Sequence, residues 1–309
     1  MKGAIAYLKH YSILQNMMMD EVCKQISKDT HFINLEEKPD VVEKELDELD
    51  VDYLVVWYFW DKLNKLKPLD RLGIPIIMTS DDPWGRLFSP NFRNIVEYHN
   101  IDGIILQTNG TKEAFIEYLG EDKDFFWLPW GINPDIMKDY KENKIWDFSI
   151  SGKFSTYEWR RLLHSKLVSN PRYHRIPRVL PPSRSWIDYA RDLNKSYISL
   201  GGCSQENSKK YYKNYFICET FAKTLEIPAC NTCLMNTDFA DREELGFEDG
   251  INFIQFNNER EFNTKMDYYL DDKDELKKVT TNGYDLVQKN YTTEQQVRKL
   301  VKEIERVYG

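Results

Sequence analysis

The sequence predicts an α/β fold of two tandem Rossmann-like domains with an inter-domain cleft. Short apolar runs alternate with polar segments of helical period, the pattern of a parallel sheet with crossover helices. The alternation breaks over residues 129–146, where "PWGINPDIMKDYKENKIW" has the proline, glycine, asparagine and charge of a linker, and then begins again. A length of 309 residues also suits two domains, at about 100–200 residues each.

In chain order, the first half offers strands at "GAIAYL" (3–8), "THFINL" (30–35), "DYLVVWYF" (52–59), "IPIIMTS" (74–80), "DGIILQT" (102–108) and "FFWLPW" (125–130). Amphipathic stretches such as "MMMDEVCKQISK" and "TKEAFIEYLG" lie between them as helices. In the second half "DFSISG" (147–152), "RIPRVL", "YISLGG", "TCLMN" and "GINFIQF" read as strands. "YEWRRLLHSKLVSN", "SWIDYARDLNKS" and "KTLEIPACN" read as helices, and the tail from Glu259 is largely helical, with "EQQVRKLVKEIERVY" apolar at helical spacing. The expected domains are 1–140 and 141–290, followed by a terminal helix over 291–309. No internal repeat is visible.

The composition is globular, with 41% hydrophobic and 30% charged residues. A formal charge of −8 disfavours nucleic acid as a partner. The charge is uneven, however. Between residues 152 and 186 eight bases, including Lys153, Arg160, Arg161 and Arg184, face the single acid Glu158, which suggests a discrete anionic ligand. Five scattered cysteines indicate a reducing compartment. Cys230 and Cys233 form a lone CxxC without a second pair or histidines at ligand spacing, so a zinc site is not expected. There is no signal-peptide order and no run near the ~20 apolar residues of a membrane span, so a cytoplasmic protein is expected. Neither GxGxxG nor GxxxxGK[ST] occurs, which disfavours dinucleotide and P-loop chemistry.

One charge stands out. In "KTLEIPACNTC" Glu226 lies among small and apolar residues, two before a proline. Thr224 can cap a short helix whose first turn holds Glu226 and Pro228, and Asn231 sits where the chain needs a left-handed residue. A carboxylate only accepts hydrogen bonds, so it can take a pair of vicinal hydroxyls such as ribose offers. Lys223 and first-turn amides could meet phosphate oxygens. Alternatively Glu226 only reinforces the helix start and pairs with Lys223.

From "KTLEIPACNTCLMN" through "REELGFEDGINFIQFNNEREFNTKMDYYLDDKDELKKVTTNGYDLVQKNYTTEQQV" the chain resembles the C-terminal part of CgeB-like glycosyltransferases, a branch of the group 1 enzymes with the GT-B fold. The matching positions are Lys223, Leu225, Glu226, Ala229, the "FEDG" of 247–250, the "YYL" of 268–270, Gly283 and Tyr284. Asn231 departs from the pattern, where glycine is usual. Upstream, "SDDPW" (80–84), "LPWGINPD" (128–135) and "DFSISGKFSTYEWRRLL" (147–163) resemble family segments in the same order.

The resemblance implies a GT-B enzyme that moves a sugar from a nucleotide-diphosphate donor to a hydroxyl of a glycan, glycoconjugate or protein, with retention of configuration and no metal. No cofactor is required, because a UDP- or GDP-sugar is the donor substrate. Glu226 would bind the donor ribose, with Thr224 and Lys223 beside it. Gly152, Lys153, Arg160 and Arg161 would lie near the diphosphate; both arginines could equally be a solvated helix face. The family's earlier Glu falls on Cys218 here, with Glu219 one residue on as a substitute. Asp81 and Asp82, at a strand end, could bind acceptor hydroxyls or take the acceptor proton, or cap the next helix. His10 is a candidate base or a loop histidine, and Asn133 a sugar contact or a turn residue. The terminal helix would cross back to the first domain. Two alternatives remain: a transferase acting on DNA bases, and a non-catalytic spore-coat or assembly module.

Overall fold

The computed structural model describes residues 2–7, 31–57, 63–80, 90–150, 185–201 and 222–309, together with 163, 165, 167 and 169. Contacts group the described residues into two compact units. The first holds residues 2–129 with Thr293–Gly309, and the second begins at Trp130 and runs to Thr292. The contact boundary therefore precedes residue 140, and residues 130–145, expected as a linker, pack into the second unit.

The first unit is a six-stranded parallel sheet in the order β2-β1-β3-β4-β5-β6. Its strands are β1 (Gly3–Tyr7), β2 (His31–Asn34), β3 (Tyr53–Val56), β4 (Ile76–Thr79), β5 (Gly103–Leu106) and β6 (Asp124–Trp127). Every residue of β3, β4 and β5 is buried, because strands covered on both faces must be apolar throughout rather than alternate. Helices α1 (Pro39–Asp47), α2 (Pro90–Tyr98) and α3 (Lys112–Leu119) connect them. Proline and Asp40 in the first turn start α1. Glu43 on α1 accepts from the Lys67 amide at 2.6 Å and pairs with Arg71, which holds the 3-10 turn Leu69–Leu72 against that helix.

The second unit contains four described parallel strands in the order β10-β9-β8-β7: β7 (Trp146–Ile150), β8 (Ser196–Leu200), β9 (Cys233–Asn236) and β10 (Ile254–Gln255). Ser196 donates to Ser149 and Ser149 to Ser199 at 2.7 and 3.0 Å, so three buried hydroxyls satisfy one another across β7 and β8. The helices are α4 (Trp186–Asn194), α5 (Lys223–Ala229), α6 (Glu259–Asp271) and α7 (Lys273–Asn290). Ser185, Asn258 and Asp272 cap α4, α6 and α7 through side-chain oxygens that accept from amides three residues on. The last helix, α8 (Thr293–Tyr308), buries Val297, Leu300, Val301 and Ile304 on one stripe and sets Tyr308 against Phe126 of β6, ring centroids 6.0 Å apart.

Two sequence expectations need correction. Only Ile254 and Gln255, near the end of "GINFIQF", are strand; the turn at Gly250, with φ 74°, and the Asp249–Phe253 bridge take up its start. Thr224 does not cap α5 either. Ala222 holds the N-cap position in a helical conformation, Thr224 is inside the helix, and Pro228 is near its C-terminal end rather than in the first turn. The expected strand "RIPRVL" and helix "MMMDEVCKQISK" lie outside the described residues.

Candidate functional site

Ligands of open parallel sheets bind beyond the carboxyl ends of the strands. In the second unit α5 leads into β9 and packs against it. Gly201 follows β8, and a methyl group on it would come within 3.0 Å of the Asn236 side chain at the end of β9. The missing side chain lets the two strand ends close up.

Glu226 lies in the first turn of α5 and is 3% exposed. Its Oε2 accepts a 2.9 Å hydrogen bond from the Tyr189 hydroxyl on α4. Its Oε1 is buried with no partner among the described residues, as is Thr224 Oγ1. Burial pushes the Glu226 carboxyl above the ordinary 4.5, while the Lys223 charge and the Tyr189 bond pull it down. A buried acceptor left open is costly unless something donates to it, so the arrangement is built to receive an O–H or N–H group.

The other end of α5 is anchored. Asn231 adopts the left-handed conformation expected of it, φ 52°, and its Nδ2 donates to Asp139 at 2.9 Å. The half of residues 130–145 nearest β7 supplies the rest of the clamp. Lys144 donates to the Asn231 carbonyl at 2.6 Å, and burial lowers its ammonium to about 8. Gln288 of α7 donates to the carbonyls of Met137 and Ala229. The CxxC cysteines are core residues. Both are buried and free, and burial pushes the Cys233 thiol up to about 12 and the Cys230 thiol higher still, so neither offers a thiolate to a metal or an electrophile. Among the described residues no group of three His, Cys, Asp or Glu is placed to hold a metal ion.

Of the sequence candidates, Lys223, Thr224 and Glu226 come together on α5. Asn133 forms a turn: its Oδ1 accepts from the Asp135 amide at 2.9 Å and its carbonyl from the Met137 amide. His10, Asp81, Asp82, Gly152, Lys153, Arg160, Arg161 and Glu219 lie outside the described residues. Tyr189 escaped sequence reasoning. It sits 37 residues from Glu226 on what reads only as an amphipathic helix, and no spacing rule links the two.

Residues 135–302 match a family model described as glycosyl transferase-like. No curated protein matches the sequence. Among solved structures, Alr3699/HepE of Anabaena in complex with UDP has a TM-score of 0.72 at 10% identity, covering 99% of this chain and 100% of its own. A glycosyltransferase from Rickettsia africae has a TM-score of 0.67 at 11% identity, with 99% and 98% covered. Sucrose-phosphate synthase of Thermosynechococcus elongatus has a TM-score of 0.63 at 9% identity, with 100% and 99% covered. At such identities the likeness is one of fold: α/β with parallel sheets, shared with GT-B glycosyltransferases.

Proposed function

The chain belongs to the glycosyl transferase-like family and is a transferase of that class, and from that premise we propose that it moves a hexose-type sugar from a UDP- or GDP-sugar to a hydroxyl of a carbohydrate or glycoconjugate. The observation that carries this reading is the open, buried oxygen of Glu226 in the first turn of α5, inside the matched region. Ribose supplies the hydroxyl donors such an oxygen lacks. Similar folds seen with UDP and with UDP-glucose support UDP as the nucleotide.

The chemistry asked of the protein is orientation and charge. Glu226 positions the nucleoside, and Lys223, half-exposed at the start of α5, offsets charge on the leaving diphosphate. Gly152, Lys153, Arg160 and Arg161 complete the diphosphate site, while Asp81, Asp82 or His10 serves the acceptor hydroxyl as proton acceptor. The transfer proceeds with retention and without a metal, in an enzyme of the CgeB-like branch working in the cytoplasm. In this reading each unit is one Rossmann-like domain of a GT-B enzyme.

The test is nucleotide release from UDP- and GDP-sugars without acceptor. One donor is hydrolysed slowly by the wild type and at least about tenfold more slowly by Glu226→Ala, the scale of losing a charge-assisted hydrogen bond. If no donor is hydrolysed and neither UDP nor GDP raises the melting temperature, the transferase chemistry at this site is wrong and a non-catalytic module gains.

A further inference from the structure

The Tyr189 hydroxyl has one proton to donate and commits it to Oε2 of Glu226 at 2.9 Å, which leaves Oε1 as the open oxygen, with no partner among the described residues. The hydroxyl comes from a stiff support. The Tyr189 ring packs edge-on against Trp186, centroids 5.6 Å apart, on a helix capped by Ser185. At the far end of that helix Asn194 donates to the Lys138 and Ala190 carbonyls and accepts from the Tyr140 amide at 2.8 Å. The same stretch, residues 137–144, also grips the C-terminal end of α5 through Lys144 and Asp139. The two helices that carry Tyr189 and Glu226 are thus braced against one segment, and rigid elements with an interlocking hydrogen bond are what a precise binding geometry needs.

We propose that Tyr189 is a positioning residue for the donor: by holding Oε2 of Glu226 it aims Oε1 at one ribose hydroxyl of the nucleotide sugar. This rests on the donor-site reading of Glu226. It adds a consequence that reading lacks, because a carboxylate with one oxygen committed recognises the two ribose hydroxyls unequally.

The experiment is calorimetric titration of the full chain with UDP, 2′-deoxy-UDP and 3′-deoxy-UDP. The proteins are the wild type, Glu226→Gln, Tyr189→Phe and the double variant. The wild type should lose roughly tenfold in affinity for one deoxy analogue and little for the other. Tyr189→Phe, which keeps the ring against Trp186, should weaken UDP binding by about fivefold and erase most of the difference between the analogues. In the Glu226→Gln background it should add almost nothing, because both changes remove one interaction. Equal losses for the two analogues in the wild type overturn the proposal, and do so even if Tyr189→Phe fails to fold. Independent, additive losses from Tyr189→Phe overturn it as well, since they assign Tyr189 a structural role. Glu226→Gln binding UDP as the wild type does sinks the donor-site reading itself. Loss of binding in Glu226→Gln with none in Tyr189→Phe sinks only the positioning role.

Discussion

Glu226 makes binding competence and stability oppose each other in a way that pH can read. Its carboxyl titrates above 4.5 in the fold because burial penalises the charge. Between that value and the raised one the native protein binds more protons than the unfolded chain, so stability falls as pH rises through this window. Urea unfolding of the wild type against Glu226→Gln should therefore show the wild type gaining on the variant as pH drops from 7 to 4.5, by at most roughly 1.4 kcal/mol per pH unit. A constant difference would mean that the group is not held uncharged by burial. His99 works in the opposite sense. It is fully buried, with Nε2 3.1 Å from the Leu63 carbonyl and Nδ1 unpartnered among the described residues, and burial lowers its titration below 6.5. The unfolded chain gains the proton first, so the stability this histidine contributes is present above 6.5 and is lost as pH falls through that value toward the lowered one. His99→Gln, which can still donate to Leu63, should flatten the acid side of the stability profile. The buried charge was legible in "KTLEIPAC", where a carboxylate interrupts small and apolar residues. The partner of that charge was not, since a tyrosine on an amphipathic helix carries no mark of what it touches.

At the level of elements, the packing of α7 on the second unit depends on Gly283. A methyl group there would stand 2.5 Å from the Asn252 carbonyl oxygen and 3.4 Å from Pro228 Cβ, so the glycine lets α7 approach both the turn before β10 and the end of α5. In an isolated helix Gly→Ala gains about 1 kcal/mol. Here the contact with fixed backbone outweighs that gain, and Gly283→Ala should lower stability by about 1–3 kcal/mol in urea unfolding; an increase would show that α7 can move without cost. The glycine was visible in sequence only through resemblance, as part of "GY". Its reason is a contact between segments 31 residues apart, and helix propensity alone would have argued for its replacement.

For the whole molecule, the chain order of the elements conceals which unit α8 stabilises. The helix follows α7 directly, yet it packs on β6, and the Glu305 charge adds to the burial that raises the Tyr53 phenol of β3. Ending the chain after Thr292 should speed amide exchange in β3, β5 and β6 while β7, β8 and β9 keep their protection. The reverse pattern would place the helix's contribution in the second unit. The alternation of apolar runs and helical periods was enough to read the α/β class, parallel strands and most of the elements, because burial on both sheet faces acts residue by residue along the chain. The placement of Thr224 inside α5 rather than at its cap, the bracing of α4 and α5 by residues 137–144, and the hold of Tyr189 on Glu226 were settled by folding alone. Each depends on groups far apart in sequence meeting at hydrogen-bond distance, and such meetings leave no periodicity or spacing behind.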